Sequence, residues 1–303
     1  MNHNIKKVII WGHKLHSHTH SYIHFGFFKA FKYLNYDTYW FDKNDDISNF
    51  DFTGSLFLTA GQVDDNIPLR TDCYYILHNV NQDKYKKLNN NNILIIQVFT
   101  KDCLKRNEKK IDNCMHYTKT TNNNDFSILY FPWPTDLLPY EIDNNINNLD
   151  NIKTTNNIYF IGSGTPEVNE IKHFCDNNNL KFIKIGGFDK NNISTELNNK
   201  YISESIIAPA IQTKWQVDNG YIPCRIFKNI SYGKMGITNN ITVYNLFENK
   251  IIYNSDIEKS LKLGLYFEKM NNKKEIIIPL MEYVRDYHTY INRINLILKY
   301  LNI

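Results

Sequence analysis

Histidines are concentrated in the stretch HSHTHSYIH, where His16, His18, His20 and His24 follow the first apolar run of the chain. A neutral imidazole can remove a proton from a substrate hydroxyl at physiological pH, and it is also a common ligand of transition metals. The pattern leaves three interpretations open: a catalytic base with its neighbours, a metal site, or the polar residues of an ordinary loop.

A metal site needs more ligands than this stretch supplies. The spacing H-x-H directly after a first strand is typical of metal-dependent amidohydrolases, which add His and Asp ligands at the ends of later strands. The further histidines show no such ligand pattern; they are His78, His116, His173 and His288. The sequence therefore predicts no metal and no cofactor, and a metal-dependent hydrolase is kept as an alternative.

A glycine turn in the second half of the chain has the composition of a phosphate-binding loop. In FIGSGTPE, an apolar strand leads through Gly162, Ser163 and Gly164 to the start of a helix. Glycines let the backbone approach a phosphate closely, and the free N–H groups of a helix start point towards it. Many α/β turns need glycine for other reasons, so a purely structural turn is the alternative.

A second segment, GYIPCRIFKNISYG, places cations near a helix start. Pro223 suits the first turn of a helix, so Arg225 and Lys228 are expected near its N-terminal end. A guanidinium can clamp two oxygens of a diphosphate at once. The alternative is a solvated Arg and Lys on an exposed helix face.

Composition narrows the class of protein. The 303 residues are 42% hydrophobic, carry a formal charge of +4 and include no long Lys/Arg block, so we expect no nucleic acid partner. Five widely spaced cysteines contain no C-x-x-C pair, which favours a reducing compartment. No apolar run approaches the ~18 residues of a membrane span. We therefore expect a soluble, cytoplasmic protein.

Strands alternate with helices in two successive halves, which predicts an α/β protein with parallel sheets. The predicted elements of the first half are strands at Lys7–Trp11, Thr38–Phe41, Leu56–Thr59, Tyr74–Leu77, Ile93–Phe99 and Ser127–Phe131 and a helix at Ser21–Leu34. Those of the second half are strands at Ile158–Ile161, Lys181–Ile185, Ser205–Ala208 and Gly236–Thr238 and helices at Pro166–Asn177, Tyr221–Tyr232 and Leu280–Leu301.

The Asn-rich stretch 141–157 lacks apolar periodicity and is predicted to be a linker. It separates domains at 1–140 and 158–303. The predicted architecture is two Rossmann-like domains facing across a cleft, with the ligand at the carboxyl ends of the strands.

The segment with Arg225 resembles the donor-site helix of glycosyltransferases of the two-domain GT-B fold. GYIPCRIFKNISYG is similar to the pattern GIPxRxFExxxxG of their spore-maturation-protein-like members, and HTYINR, from His288, is similar to the HTYxxR pattern near their end. The chain also resembles glycosyltransferase-like proteins of large DNA viruses. It departs from the retaining members, since Gly220 and Lys228 stand where these carry two glutamates.

The resemblance implies a hexosyl- or pentosyltransferase that uses a nucleotide-diphosphate sugar and a carbohydrate or other hydroxyl acceptor. Gly162, Ser163, Gly164, Arg225, Lys228, Tyr221 and Ile222 would bind the donor phosphates. Candidates for its sugar or base are Gln212, Lys214, Trp215, Gln216 and Asp218. Without the glutamate pair an inverting, metal-independent transfer is expected, with a base ranked in the order His20, His18, His24. A non-catalytic carbohydrate- or nucleotide-binding protein of the same fold is the alternative.

Overall fold

The protein forms two compact units in a computed structural model. One unit comprises Met1–Phe131 together with Tyr290–Ile303, and the other comprises Pro132–Thr289. The structure describes residues 5–16, 18, 20–99, 110–111, 115–116, 120–121, 126–130, 132–187 and 193–303. No helix in these ranges combines the length and the apolar character that a bilayer crossing requires.

A seven-stranded sheet is the centre of the first unit. Its strands are β1 (Lys7–Trp11), β2 (Thr38–Phe41), β3 (Ser55–Ala60), β4 (Tyr74–His78), β5 (Ile93–Gln97), β8 (Thr120–Thr121) and β9 (Ser127–Tyr130), and a separate antiparallel pair is formed by β6 (Lys110–Ile111) and β7 (Met115–His116). The order is β2-β1-β3-β4-β5-β9-β8, parallel except for β8 against β9. The predicted strands are confirmed in position; Phe131 and the side chain of His116 lie outside the described part.

Strand β3 is buried along its whole length and β1 at every residue but Lys7, as expected for strands covered on both faces of a parallel sheet. Helix α1 (Ser21–Tyr33) follows β1, close to the predicted bounds. The carboxyl ends of β1, β3 and β4 lie side by side because the three strands are parallel neighbours. Residues that follow these strands are therefore brought together.

The second unit is built around two short parallel strand pairs. They are β10 (Asn157–Ile161) with β11 (Lys181–Ile185), and β12 (Ile237–Thr238) with β13 (Ile252–Tyr253). The backbone N–H of Ile206 donates to Asn157 O, and that of Ala210 donates to Ile237 O, each at 2.8 Å. The predicted strand Ser205–Ala208 thus makes a strand-type bond at Ile206, and Ala210 makes another just after it, but no regular strand forms there.

Helices surround these strands. They are α2 (Pro139–Asn147), α3 (Pro166–Asn177), α4 (Thr195–Glu204), α5 (Lys214–Asp218), α6 (Cys224–Ser231), α7 (Ile241–Leu246), α8 (Ile257–Glu268) and α9 (Lys273–Tyr287). Helix α6 is shorter than predicted, since Pro223 is its N-cap and Tyr221 precedes it.

Part of the segment predicted to be a linker is helical. Helix α2 begins at Pro139, and the Glu141 carboxylate accepts the backbone N–H of Leu138 at 2.7 Å, which caps the helix start. Ile142 is fully buried, and Asp143 pairs with Arg285 at 2.7 Å. The apolar residues of α2 are few but correctly spaced, and the surrounding asparagines hid this pattern.

The terminal helical pattern is divided into two helices that belong to different units. Helix α9 ends at Tyr287, and α10 (Tyr290–Leu301) begins three residues later. Between them the backbone N–H of Thr135 donates to His288 O at 3.0 Å, and Thr289 forms a parallel bridge with Thr135. These backbone bonds replace helical ones, so the chain is extended here. The second unit therefore ends at Thr289, not at 303.

Helix α10 packs on α1 through one close contact. The rings of Phe27 and Tyr290 meet edge to face with centroids 4.8 Å apart. A Cβ atom at Gly26 would lie 2.1 Å from the Tyr290 ring, so only glycine allows this approach.

We expect Gly26→Ala to destabilise the protein by about 2–4 kcal/mol, as overpacking does, although Ala in a helix interior normally stabilises by ~1 kcal/mol relative to Gly. Urea unfolding measures the change. Tyr290→Leu should relieve the collision, so the double variant should lose less than the sum of the two single losses. A stabilising Gly26→Ala would contradict this packing.

Candidate functional site

The two segments predicted to bind phosphate meet in the second unit. Arg225, on α6, extends to the end of β10, where its Nη2 donates to the backbone oxygen of Ile161 at 3.0 Å. Its Cζ atom lies 4.1 Å from the centre of the Phe160 ring. A Cβ atom at Gly162 would lie only 2.4 Å from Nη2. The guanidinium therefore rests against the glycine turn.

Local sequence explains the shape of this turn. Gly162 has φ +143°, a conformation that residues with a side chain rarely adopt. Ser163 and Gly164 follow it, and α3 starts at Pro166 after its N-cap, Thr165. No side chain caps this helix start. Its first N–H groups, with the positive end of the helix dipole, form an environment suited to an anion.

The Arg225 side chain has capacity to bind a ligand. Among the described residues its buried Nε has no hydrogen-bond partner. Burial lowers the pKa of Arg225, but a guanidinium stays charged at neutral pH. An unsatisfied donor on a buried cation is costly, and a ligand oxygen would remove that cost. The arrangement is thus suited to a phosphate or diphosphate.

The second predicted cation, Lys228, has another role. Its Nζ lies 2.8 Å from Asp136 Oδ2 with both side chains largely buried, and Tyr232 donates to Asp136 Oδ1 at 2.5 Å. Burial alone would lower the pKa of Lys228, but the Asp136 charge raises it above its usual value. Because Lys228 is committed to this ion pair, the structure contradicts its predicted role as a phosphate ligand.

Buried amides hold the segment before α6. Gln212 is 1% exposed; its Nε2 donates to Tyr221 O at 2.7 Å, and its Oε1 accepts Asn240 Nδ2 at 2.9 Å. Gln212 therefore fixes the backbone at Tyr221, and the role predicted for it in binding the donor sugar or base stays a prediction. Ile222 is a core residue at 4% exposure.

The short helix α5 contains the remaining predicted donor residues. Gln216 forms a reciprocal cap with Thr213, and Lys214 pairs with Asp218 at 3.0 Å. Trp215 is 62% exposed, so its indole is not a core side chain. The backbone N–H of Lys214 donates to Glu167 Oε1 at 3.4 Å, so α5 lies next to the start of α3. Sequence reasoning missed Glu167 and Phe160 because only tertiary contacts identify them.

A cluster of histidines lies in the first unit, at the carboxyl ends of β1, β3 and β4. The rings of His13 and His18 stack with centroids 4.2 Å apart, and His18 Nδ1 lies 3.2 Å from His20 Nδ1. His78 is next to His20, with a centroid distance of 6.0 Å. His13 was missed because the histidine-rich stretch was taken to begin at His16, three residues later.

Burial keeps part of this cluster neutral. Desolvation, followed by the nearby charges of His78, His18 and His13, lowers the pKa of His20 to about 4. Desolvation likewise lowers the pKa of His13. A neutral His20 ring has a lone pair that can accept a proton or bind a cation, and both functional interpretations of this stretch stay predictions.

His24, ranked third as a base, is a structural residue. It is fully buried; its Nδ1–H donates to Gly12 O at 2.9 Å, and its Nε2 accepts the backbone N–H of Ala60 at 3.0 Å. Desolvation lowers the pKa of His24 to about 3. Through these two bonds His24 links the end of β1 to β3. Because both ring nitrogens are occupied, His24 cannot serve as a base, and this prediction is wrong.

No protein-family model and no curated protein matches the sequence. The structure is similar to three solved structures of an alpha-glucosyltransferase. One is in complex with UDP (TM-score 0.60, 12% identity, 98% of this chain and 99% of that chain). The second is in complex with UDP-glucose and DNA containing an abasic site (TM-score 0.64, 8% identity, 98% of this chain and 99% of that chain). The third is in complex with UDP and a 13-mer DNA containing a HMU base (TM-score 0.55, 10% identity, 99% of this chain and 100% of that chain). The predicted GT-B fold class is confirmed.

The expectation that nucleic acid is not a partner is wrong. It rested on the mild net charge and the lack of a long basic block. Two of the similar structures contain DNA, and both match this chain along almost its whole length. A modest overall charge therefore does not exclude nucleic acid for this fold.

We expect His24→Ala to destabilise the protein by about 2–4 kcal/mol, because the variant leaves a cavity and a buried Ala60 N–H without an acceptor. Urea unfolding with His173→Ala as the control measures this; His173 is exposed on α3 and should change stability by less than ~0.5 kcal/mol. Normal stability of His24→Ala would contradict the structural role.

Proposed function

We propose that the protein is a glycosyltransferase that takes a sugar from a nucleotide-diphosphate sugar. The observation that carries this proposal is the Arg225 guanidinium, which lies against the Gly162 turn near the start of α3. The similarity to structures that contain UDP and UDP-glucose supports it and makes UDP-glucose the first donor to test. In this proposal the second unit binds the donor and the first unit binds the acceptor.

Arg225 would act on the leaving group. When the bond between the anomeric carbon and the diphosphate breaks, the electron pair stays on the diphosphate oxygen, and negative charge grows there. A fixed guanidinium stabilises this charge more strongly in the transition state than in the ground state, which accelerates the reaction. Backbone N–H groups at the start of α3 add a second source of positive potential.

The acceptor we propose is a hydroxyl group on nucleic acid. Support comes from the two DNA-containing structures, whose chains match this one over 98–99% of its length. A carbohydrate hydroxyl is the alternative that the sequence suggested. His20 as base and inversion at the anomeric carbon both stay predictions, and NMR of the product anomer decides the stereochemistry. A binding protein without turnover is the remaining alternative.

Arg225→Ala should raise the dissociation constant for UDP-glucose and also lower kcat. We expect a total loss in kcat/KM of about 2–4 kcal/mol, typical of one contact to developing charge. Calorimetry and steady-state kinetics measure the two effects. Arg70→Ala, which removes an exposed arginine paired with Asp72 in the first unit, is the matched control. Unchanged donor binding by Arg225→Ala would contradict the assignment.

Gly162→Ala tests the same site without removing the charge. The new methyl group would collide with Arg225 Nη2 and require a rare backbone conformation. We expect weaker donor binding in calorimetry, with a smaller loss than Arg225→Ala gives. Gly164→Ala in the same turn is the comparison, since its Cβ meets only the flexible Lys184 side chain, at 3.3 Å. Equal losses for the two glycine variants would contradict the steric argument.

The acceptor is tested by following radiolabelled glucose from UDP-glucose. We expect label in DNA that contains a HMU base, as in one of the similar structures, and none in DNA without it, with slower labelling by Arg225→Ala. Label found only in an oligosaccharide panel would replace the nucleic acid acceptor and keep the transferase. Donor binding without transfer to any acceptor would favour the non-catalytic alternative.

A further inference from the structure

Three imidazoles in the first unit are close enough to share one ion. His13, His18 and His20 each offer a ring nitrogen, and these three atoms all lie within 4.8 Å of one another. A zinc ion with Zn–N bonds of ~2.05 Å and tetrahedral angles holds its nitrogens about 3.4 Å apart. His18 Nδ1 and His20 Nδ1 are 3.2 Å apart, so this pair already spans one edge of such a tetrahedron.

The backbone at Gly61 arranges two of the three rings. His13 Nε2 lies 3.2 Å from Gly61 O, where it donates and leaves Nδ1 with a free lone pair. Metal-binding histidines usually donate their second nitrogen to such a carbonyl or carboxylate, which fixes the tautomer. A Cβ atom at Gly61 would lie 2.9 Å from both the His13 and the His20 ring, so glycine makes room for them.

His18 completes the set from the loop that leads into α1. Its carbonyl oxygen accepts both the backbone N–H of Ser21, at 3.0 Å, and the Ser21 hydroxyl, at 2.5 Å, which fixes the position of this residue. Its Nδ1 accepts the backbone N–H of His20 at 3.2 Å, which is long for a hydrogen bond. A metal ion can displace this bond, or the exposed ring can rotate so that Nε2 becomes the ligand atom. His18 is exposed and gives an ion access from solvent.

The chemistry of the donor set selects the ion. Three neutral nitrogen ligands suit Zn²⁺ and related transition metals, whereas Mg²⁺ and Ca²⁺ require oxygen ligands.

We propose that His13, His18 and His20 form a Zn²⁺ site with water or a ligand atom in the fourth position. The site lies wholly in the first unit and does not require the proposed glycosyl transfer, although a zinc-bound His20 could not also be the base of that reaction. It revises the sequence prediction of no metal, because the third ligand, His13, comes from the end of β1.

Zinc titration of the full chain, freed of metal by a chelator and carrying no polyhistidine tag, tests the site. We expect one equivalent of Zn²⁺ by calorimetry and elemental analysis, and a four-coordinate absorption spectrum when Co²⁺ is used. His13→Ala, His18→Ala and His20→Ala should each weaken binding at least about tenfold, as the loss even of an outer partner does. His18 is exposed, so its variant should keep the fold, which circular dichroism checks.

His16→Asn is the matched control, since His16 belongs to the same loop but lies outside the cluster and contacts Tyr22. It should bind zinc like the wild type. The absence of stoichiometric binding, or wild-type binding by the His18→Ala variant, would overturn the proposal, and so would loss of binding in His16→Asn alone. None of these readouts requires a sugar donor, so the outcome is independent of the transferase assay.

Discussion

The contact between Arg225 and the end of β10 is the constraint on which the candidate donor site depends. It joins a helix residue to a strand 64 positions earlier through the carbonyl of Ile161 and the ring of Phe160. It exists only because Gly162 has no side chain. A cation on a flexible loop would lose entropy on binding a phosphate, whereas this guanidinium is already positioned. The same contact leaves Nε available for a ligand.

The cation next to Arg225 on the same helix, Lys228, is held in an ion pair. Lys228 is one helical turn from Arg225, yet its charge is neutralised by Asp136, which also accepts the Tyr232 hydroxyl. A buried ion pair with all its partners fixes geometry more than it adds stability. Helix α6 therefore presents one uncommitted cation. The amide of Gln212 also fixes the geometry here, because it bonds to the backbone just before this helix.

In the first unit, parallel strand ends bring histidines together that the sequence separates. His13 follows β1, His78 ends β4, and His18 and His20 precede α1. His24 fastens β1 to β3 beneath them, through its bonds to Gly12 and Ala60. A buried imidazole with two fixed partners thus lies next to the three imidazoles of the proposed zinc site. One residue type thus serves both as scaffold and as candidate ligand, and burial decides which.

The sequence alone determined the α/β class and nearly every strand of the large sheet, because these rest on local periodicity. Turn chemistry also singled out Gly162 and Arg225, which the fold brings into contact. The sequence misjudged α2, whose few apolar residues lie among asparagines, and Lys228, whose partner Asp136 is 92 positions away. It did not predict that the His13 ring lies beside the rings of His18 and His20. Partner choice, burial and the meeting of strand ends are decided by long-range packing, which no local pattern in the chain encodes.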